Sequence, residues 1–157
     1  MNTALTLEER AYNYETMQHI HEVARLLHMV CKELMDRADV HDATKLEEPE
    51  LSGFMNAKPL AGMTYGSKEF EEQKKGLKEA LDHHYAKNSH HPEHYKDGLN
   101  DMTLIDLVEL FVDWKSSSIR HSDGNLLKSI DINSNRFNMS PQLTRIFQNT
   151  ALLFDRI

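Results

Sequence analysis

Apolar residues return every three or four positions along most of this chain, with no convincing strand alternation. The pattern predicts helices joined by short loops. Thr6 followed by Glu9 forms a capping box, and a helix runs from there to about Asp36 with a seam of Ile20, Val23, Leu27, Val30 and Leu34. Glu47-Glu48-Pro49-Glu50 opens a second helix with Pro49 in its first turn, continuing through Phe54. Pro59, Gly62 and Gly66 mark a loop, and a helix after Ser67 reaches about Lys87 with Phe70, Leu77, Leu81 and His84 on one face. From Met102 a helix rich in Leu, Ile and Val begins, with Asn100 or Asp101 as its cap, and its apolar circumference predicts a central place. A turn at 121–125 leads to a short helix over 126–132. Ser140-Pro141 starts a last helix whose Leu143, Ile146, Phe147 and Leu153 should close the core. The expected fold class is all-α, a single helical domain over residues 1–157 with about five to seven helices.

Composition narrows the class. With 157 residues, 39% hydrophobic and 27% charged, the chain suits one folded domain of ordinary size. A net charge of -7 argues against a groove for a nucleic-acid backbone, which needs clustered cations, but leaves room for a small anion held by one or two local ones. Cys31 is the only cysteine, so no intramolecular disulfide forms, and a reducing cytoplasm fits. The polar amino terminus is no signal peptide, and no apolar run nears the roughly 20 residues that span a bilayer. A cytoplasmic protein that does not enter membranes is expected. The apolar last helix could contribute to a homodimer interface.

Ten histidines make candidate chemistry the sharper question. His41 stands directly before Asp42, and such a doublet can place a nitrogen and an oxygen on one metal ion, with Lys45 three positions on to hold an anionic substrate. Asp42 could equally cap a helix starting near Ala43. On the first helix, His19 lies about 60° from the centre of the apolar seam, whereas His21 and His28 lie well over 100° away and read as solvated. His84 continues an apolar face, with His83 pointing elsewhere. In the loop Asn88-Ser89-His90-His91-Pro92-Glu93-His94 no periodicity orients the three imidazoles. Asp106, Glu109 and Asp113 form one stripe on the apolar helix. Asp106 reads as a solvated residue favouring the helix dipole, and Asp113, set among Phe111, Val112 and Trp114, as a partly buried carboxylate.

The order His19, His41-Asp42, Asp113 on an all-helical chain resembles the HD superfamily of metal-dependent phosphohydrolases, in which an early His, a His-Asp pair and a later Asp hold a divalent ion. The spelling His-Asp-x-x-Lys, with Lys45 as its lysine, strengthens the likeness. The segments HDATKLEEPE (41–50), TYGSKEF (64–70), HHYAKNSHHPEH (83–94) and MTLIDLVELFVDW (102–114) also look like a small, largely uncharacterised family of bacteriophage and bacterial genomes. The resemblance implies a compact HD-type domain, metal ligands at His19, His41, Asp42 and Asp113, and a host-cytoplasmic location for a phage-encoded member.

Two imidazoles and two carboxylates suit Mn²⁺, Fe²⁺, Co²⁺, Ni²⁺ or Zn²⁺, and Asp42 could bridge to a second ion. A water on such an ion loses its proton near neutral pH and attacks a phosphoryl group that the metal polarises. Asp42, Lys45, His84 and His91 are then the catalytic candidates, the two histidines as second-metal ligands or general acids, with His90 and His94 as alternatives. Lys45 and, more weakly, Arg120 would bind the phosphate. The expected activity is hydrolysis of a nucleotide or related small phosphoester. The alternatives are an HD-fold di-iron oxygenase, suggested by the surplus of histidines, and a non-catalytic phage-encoded factor binding a nucleotide or a protein.

Overall fold

The structure, a computed structural model, describes residues 5–56, 68–119 and 124–154. Among these residues all regular structure is helical, with six α-helices and short 3-10 turns. No described helix is long and apolar enough to cross a membrane. The loop expected at Pro59, Gly62 and Gly66, the residues 121–123 of the expected turn, and the substrate candidate Arg120 lie outside the described residues.

By its contacts the chain divides into Met1–Val40 and His41–Ile157. The first unit is the helix α1 (Leu7–Val40), four residues longer than its apolar seam suggests. The capping box forms as expected: Glu9 Oε2 accepts from the Thr6 amide at 2.7 Å, and Thr6 Oγ1 accepts from the Glu9 amide at 3.2 Å. Ion pairs Arg25–Glu22 and Arg37–Glu33 one turn apart support the helix, and Arg37 lies in its last turn, where the dipole favours a cation. The helix buries none of its seam.

In the second unit, α2 (Glu50–Met55) packs on α3 (Lys68–Lys87), while α4 (Leu104–Ile119), α5 (Leu126–Arg136) and α6 (Pro141–Phe154) enclose the core. Leu110, Phe111 and Trp114 of α4 meet Leu126 and Ile130 of α5 and Phe147 and Ala151 of α6. Phe111 and Trp114 both meet the Phe147 ring edge-to-face, at 5.5 and 5.7 Å between centroids. Ile146 and Leu153, expected in this core, are exposed; Phe147 and Ala151, four apart, carry the buried face of α6 instead. Asn125 and Ser140 cap α5 and α6 through the amides of Lys128 and Leu143.

The cap of α4 differs from expectation. Neither Asn100 nor Asp101 provides it; Thr103 and Asp106 form a reciprocal box, Asp106 Oδ2 accepting from the Thr103 amide at 2.8 Å and Thr103 Oγ1 accepting from the Asp106 amide at 3.2 Å. Asp106 is also buried, not solvated, at 1% exposure. Its carboxylate accepts from Ser89 Oγ (3.0 Å), Tyr95 Oη (2.9 Å) and Thr103 Oγ1 (2.6 Å), so it ties the histidine-bearing loop to the start of α4.

Candidate metal centre

His41 and Asp42 form a turn directly after α1. Asp42 adopts φ 56°, ψ 14°, the left-handed region that Asp tolerates better than most non-glycine residues. A 3-10 helix does begin at Ala43, as a capping role for Asp42 requires, yet the Asp42 side chain makes no capping hydrogen bond. Its Oδ2 accepts from Lys45 Nζ at 2.6 Å, and its Oδ1 is buried without a hydrogen-bond partner.

What surrounds that orphaned oxygen is imidazole. His84 Nε2 lies 3.3 Å from Asp42 Oδ1 and His90 Nε2 3.6 Å from it, and His91 Nε2 is 2.9 Å from His84 Nε2. His90 Nε2 is the other buried polar atom with no hydrogen-bond partner. Ligand atoms about 2.0–2.2 Å from one ion stand roughly 3–3.5 Å from each other, and the ligand atoms of Asp42, His84, His90 and His91 all lie within 4.8 Å of one another, close enough for small side-chain shifts to form a coordination shell. A second group adjoins it. His41 Nε2 is 3.5 Å from Asp42 Oδ2 and 3.8 Å from Asp113 Oδ1, so the two oxygens of Asp42 serve two neighbouring groups.

Carboxylates stand behind these imidazoles. Glu50, fully buried at the start of α2, bonds His84 Nδ1 through one oxygen and His83 Nδ1 through the other, both at 2.8 Å. Glu109 Oε1 lies 2.8 Å from His41 Nδ1 and 3.1 Å from His90 Nδ1. A carboxylate on Nδ1–H fixes the tautomer and turns the Nε2 lone pair toward an ion. Close packing sets the Glu50 contact: a Cβ on Gly53 would stand 2.5 Å from Ala80 Cβ, so only glycine lets α2 approach α3 this closely.

The charges sort accordingly. Asp113, helped by Glu109 and Asp42, holds the His41 pKa up to about 9 against the effect of burial. Burial, with His90 and His84 alongside, pushes His91 down to about 3, and burial also lowers His90. Burial would raise Asp42, Asp113 and Glu50, but Lys45 with His41 and His84 outweighs it at Asp42, His41 with His90 and His91 at Asp113, and His83 with Thr44 and His84 at Glu50, so all three stay below their ordinary values. At neutral pH the centre therefore offers ionised carboxylates and, in His90 and His91, neutral imidazoles.

The model of a "Family of unknown function (DUF5662)" matches residues 8–153, which include every residue of this centre. The chain belongs to the DUF5662 family. No curated protein and no solved structure matches it. In this DUF5662 member the structure brings together His41, Asp42, Lys45, His84, His91 and Asp113 from the sequence candidates. His19 lies exposed on α1, in the first unit, and enters none of the ligand groups found among the described residues. His90 joins the centre, whereas His94 turns its Nδ1 to the Tyr85 carbonyl. Sequence reasoning missed Glu50 and Glu109 as partners of histidine. Glu109 had a signal, since it sits one turn before Asp113 on the same stripe; Glu50 had only its place at a helix start.

Proposed function

We propose that this centre binds a divalent ion, with a second position sharing Asp42, and that the protein is an HD-type phosphohydrolase of nucleotides or related small phosphoesters. The observation that carries this is the pair of facing orphans, Asp42 Oδ1 and His90 Nε2. Each such buried atom costs about 1–3 kcal/mol when left unpaired, a cost that a cation between them offsets. Three imidazoles and a carboxylate suit Zn²⁺, Fe²⁺, Co²⁺ or Ni²⁺, and the group of His41, Asp42 and Asp113 adds a position richer in oxygen, which Mn²⁺ also suits.

A bound ion would supply Lewis acidity toward water and a phosphoryl oxygen. The chain's own residues do the rest. Lys45, 44% exposed at its side chain, can exchange Asp42 for a substrate phosphate as a point charge. His91, kept neutral by burial, suits a ligand better than a general acid.

Metal analysis of untagged protein, with assays of nucleoside mono- and triphosphates and cyclic nucleotides in Mn²⁺, Co²⁺, Ni²⁺ and Mg²⁺, tests the proposal. Asp42→Ala should abolish both ion uptake and phosphate release. No turnover with any metal would count against hydrolysis. The three clustered imidazoles beside a shared carboxylate favour a second reading, a di-iron oxygenase, which predicts iron in the purified protein and oxygen consumption without phosphate release.

A further inference from the structure

Glu109 occupies a place that neither ion position alone explains. One oxygen, Oε1, faces the Nδ1 atoms of both His41 and His90, whose opposite nitrogens belong to different ligand groups. The two rings lie face by face, 4.5 Å between centroids and tilted by 39°. Glu109 is itself only 15% exposed at its side chain and sits on α4, one turn before Asp113 and next to the core residues Leu110 and Phe111. The 2.8 Å contact is hydrogen-bond distance, closer than most ligand atoms sharing an ion, so this cluster orients histidines instead of holding an ion of its own.

Resting on the two-position reading above, we infer that Glu109 is a positioning residue shared by both ion positions. By accepting at one oxygen from both Nδ1 sides, it fixes both rings in the tautomer that presents Nε2 as a ligand. Loss of Glu109 frees both rings at once, whereas Glu50 supports His84 alone among the ligands. Outer carboxylates of this kind are worth about 10–100-fold in metal affinity. The shared contact predicts that this loss appears at two binding steps from one substitution.

Equilibrium dialysis of the full-length protein with Co²⁺ tests this, with Asp113→Ala assigning which step belongs to the oxygen-rich position. Wild type should take up two ions. Glu109→Ala should weaken both steps by about 10-fold or more each, and Glu109→Gln, which keeps an acceptor oxygen but not the charge, should recover part of the loss at both. Glu50→Gln should weaken only the imidazole-rich step. Circular dichroism confirms that each variant is folded, and the Gln rescue separates positioning from a merely structural role. Two ions in wild type with only one step, or neither, altered by Glu109→Ala would overturn the inference while sparing the metal centre. An equal effect of Glu50→Gln on both steps would overturn it too. Failure of wild type to bind Co²⁺ at all would instead overturn the metal centre itself.

Discussion

Replacing Asp106 by Ala removes the acceptor that joins the histidine loop to α4. The carboxylate is 1% exposed and accepts from Ser89, Tyr95 and both the amide and hydroxyl of Thr103. A hydrogen bond to a charged group contributes about 1.5–3 kcal/mol, and loss of an N-cap partner about 1 kcal/mol. Ser89 and Tyr95 are only partly buried and can recover water, so the bonds do not add in full. A net loss of about 3–5 kcal/mol follows. Trp114 is the single tryptophan and lies in the core, so its fluorescence reports unfolding in urea directly. With a slope of about 2 kcal/mol per molar, the midpoint should fall by roughly 1.5–2.5 M. Asp106→Asn keeps one oxygen and should lose less. A solvated Asp106 would predict a change within about 0.5 kcal/mol, so a loss below about 1 kcal/mol would refute the anchoring role.

Gly53→Ala should cost about 1–3 kcal/mol by overpacking against Ala80 and the Gly76 carbonyl, and adding Ala80→Gly should restore only part of it in the same urea assay, because the carbonyl contact and a new helix-interior glycine remain. Lys45→Ala should leave Co²⁺ uptake within a few-fold while lowering kcat/KM for a phosphoester by about 10-fold or more, read in steady-state kinetics. With a pKa of about 9, His41 is charged at pH 7.5, so ion uptake there should release close to one proton, measured by calorimetry in buffers of different ionisation enthalpy. The same raised pKa means that charged His41 stabilises the ion-free protein fully below about pH 6.5 and that this contribution fades as pH rises through about 9, which thermal unfolding across that window checks. An ion at 100 times its Kd should add about 2.7 kcal/mol of stability, and a chelator should remove it.

Local signals carried far in this sequence. Thr6 with Glu9, and Ser140 before Pro141, mark helix starts because capping depends on residues three apart. The His41-Asp42 doublet, His84 and Asp113 were likewise legible as candidates. Azimuth was not enough for the rest. Asp106, Glu109 and Asp113 share one stripe, but their surroundings come from segments at Ser89, Tyr95, His41 and His90, and periodicity says nothing of which neighbour arrives. The loop gave no azimuth at all, so His90 and His94 could not be told apart until the Tyr85 carbonyl claimed the latter. Ile146 and Leu153 failed as core residues for the opposite reason: apolar spacing is necessary for burial but does not decide which side of a helix meets its partner.

The contact between His41 and Glu109 spans 68 positions of chain. Closing so long a loop is entropically uphill until distant packing rewards it, so the carboxylate backing of His41 arrives only after α4 has docked. During synthesis, Asp42, His84 and His91 emerge well before Glu109 and Asp113 do. A nascent chain stopped before Leu104 therefore carries Asp42, His84, His90, His91 and Glu50 but lacks Glu109 and Asp113, so the oxygen-rich position beside His41 becomes a mark of a finished fold instead of its seed.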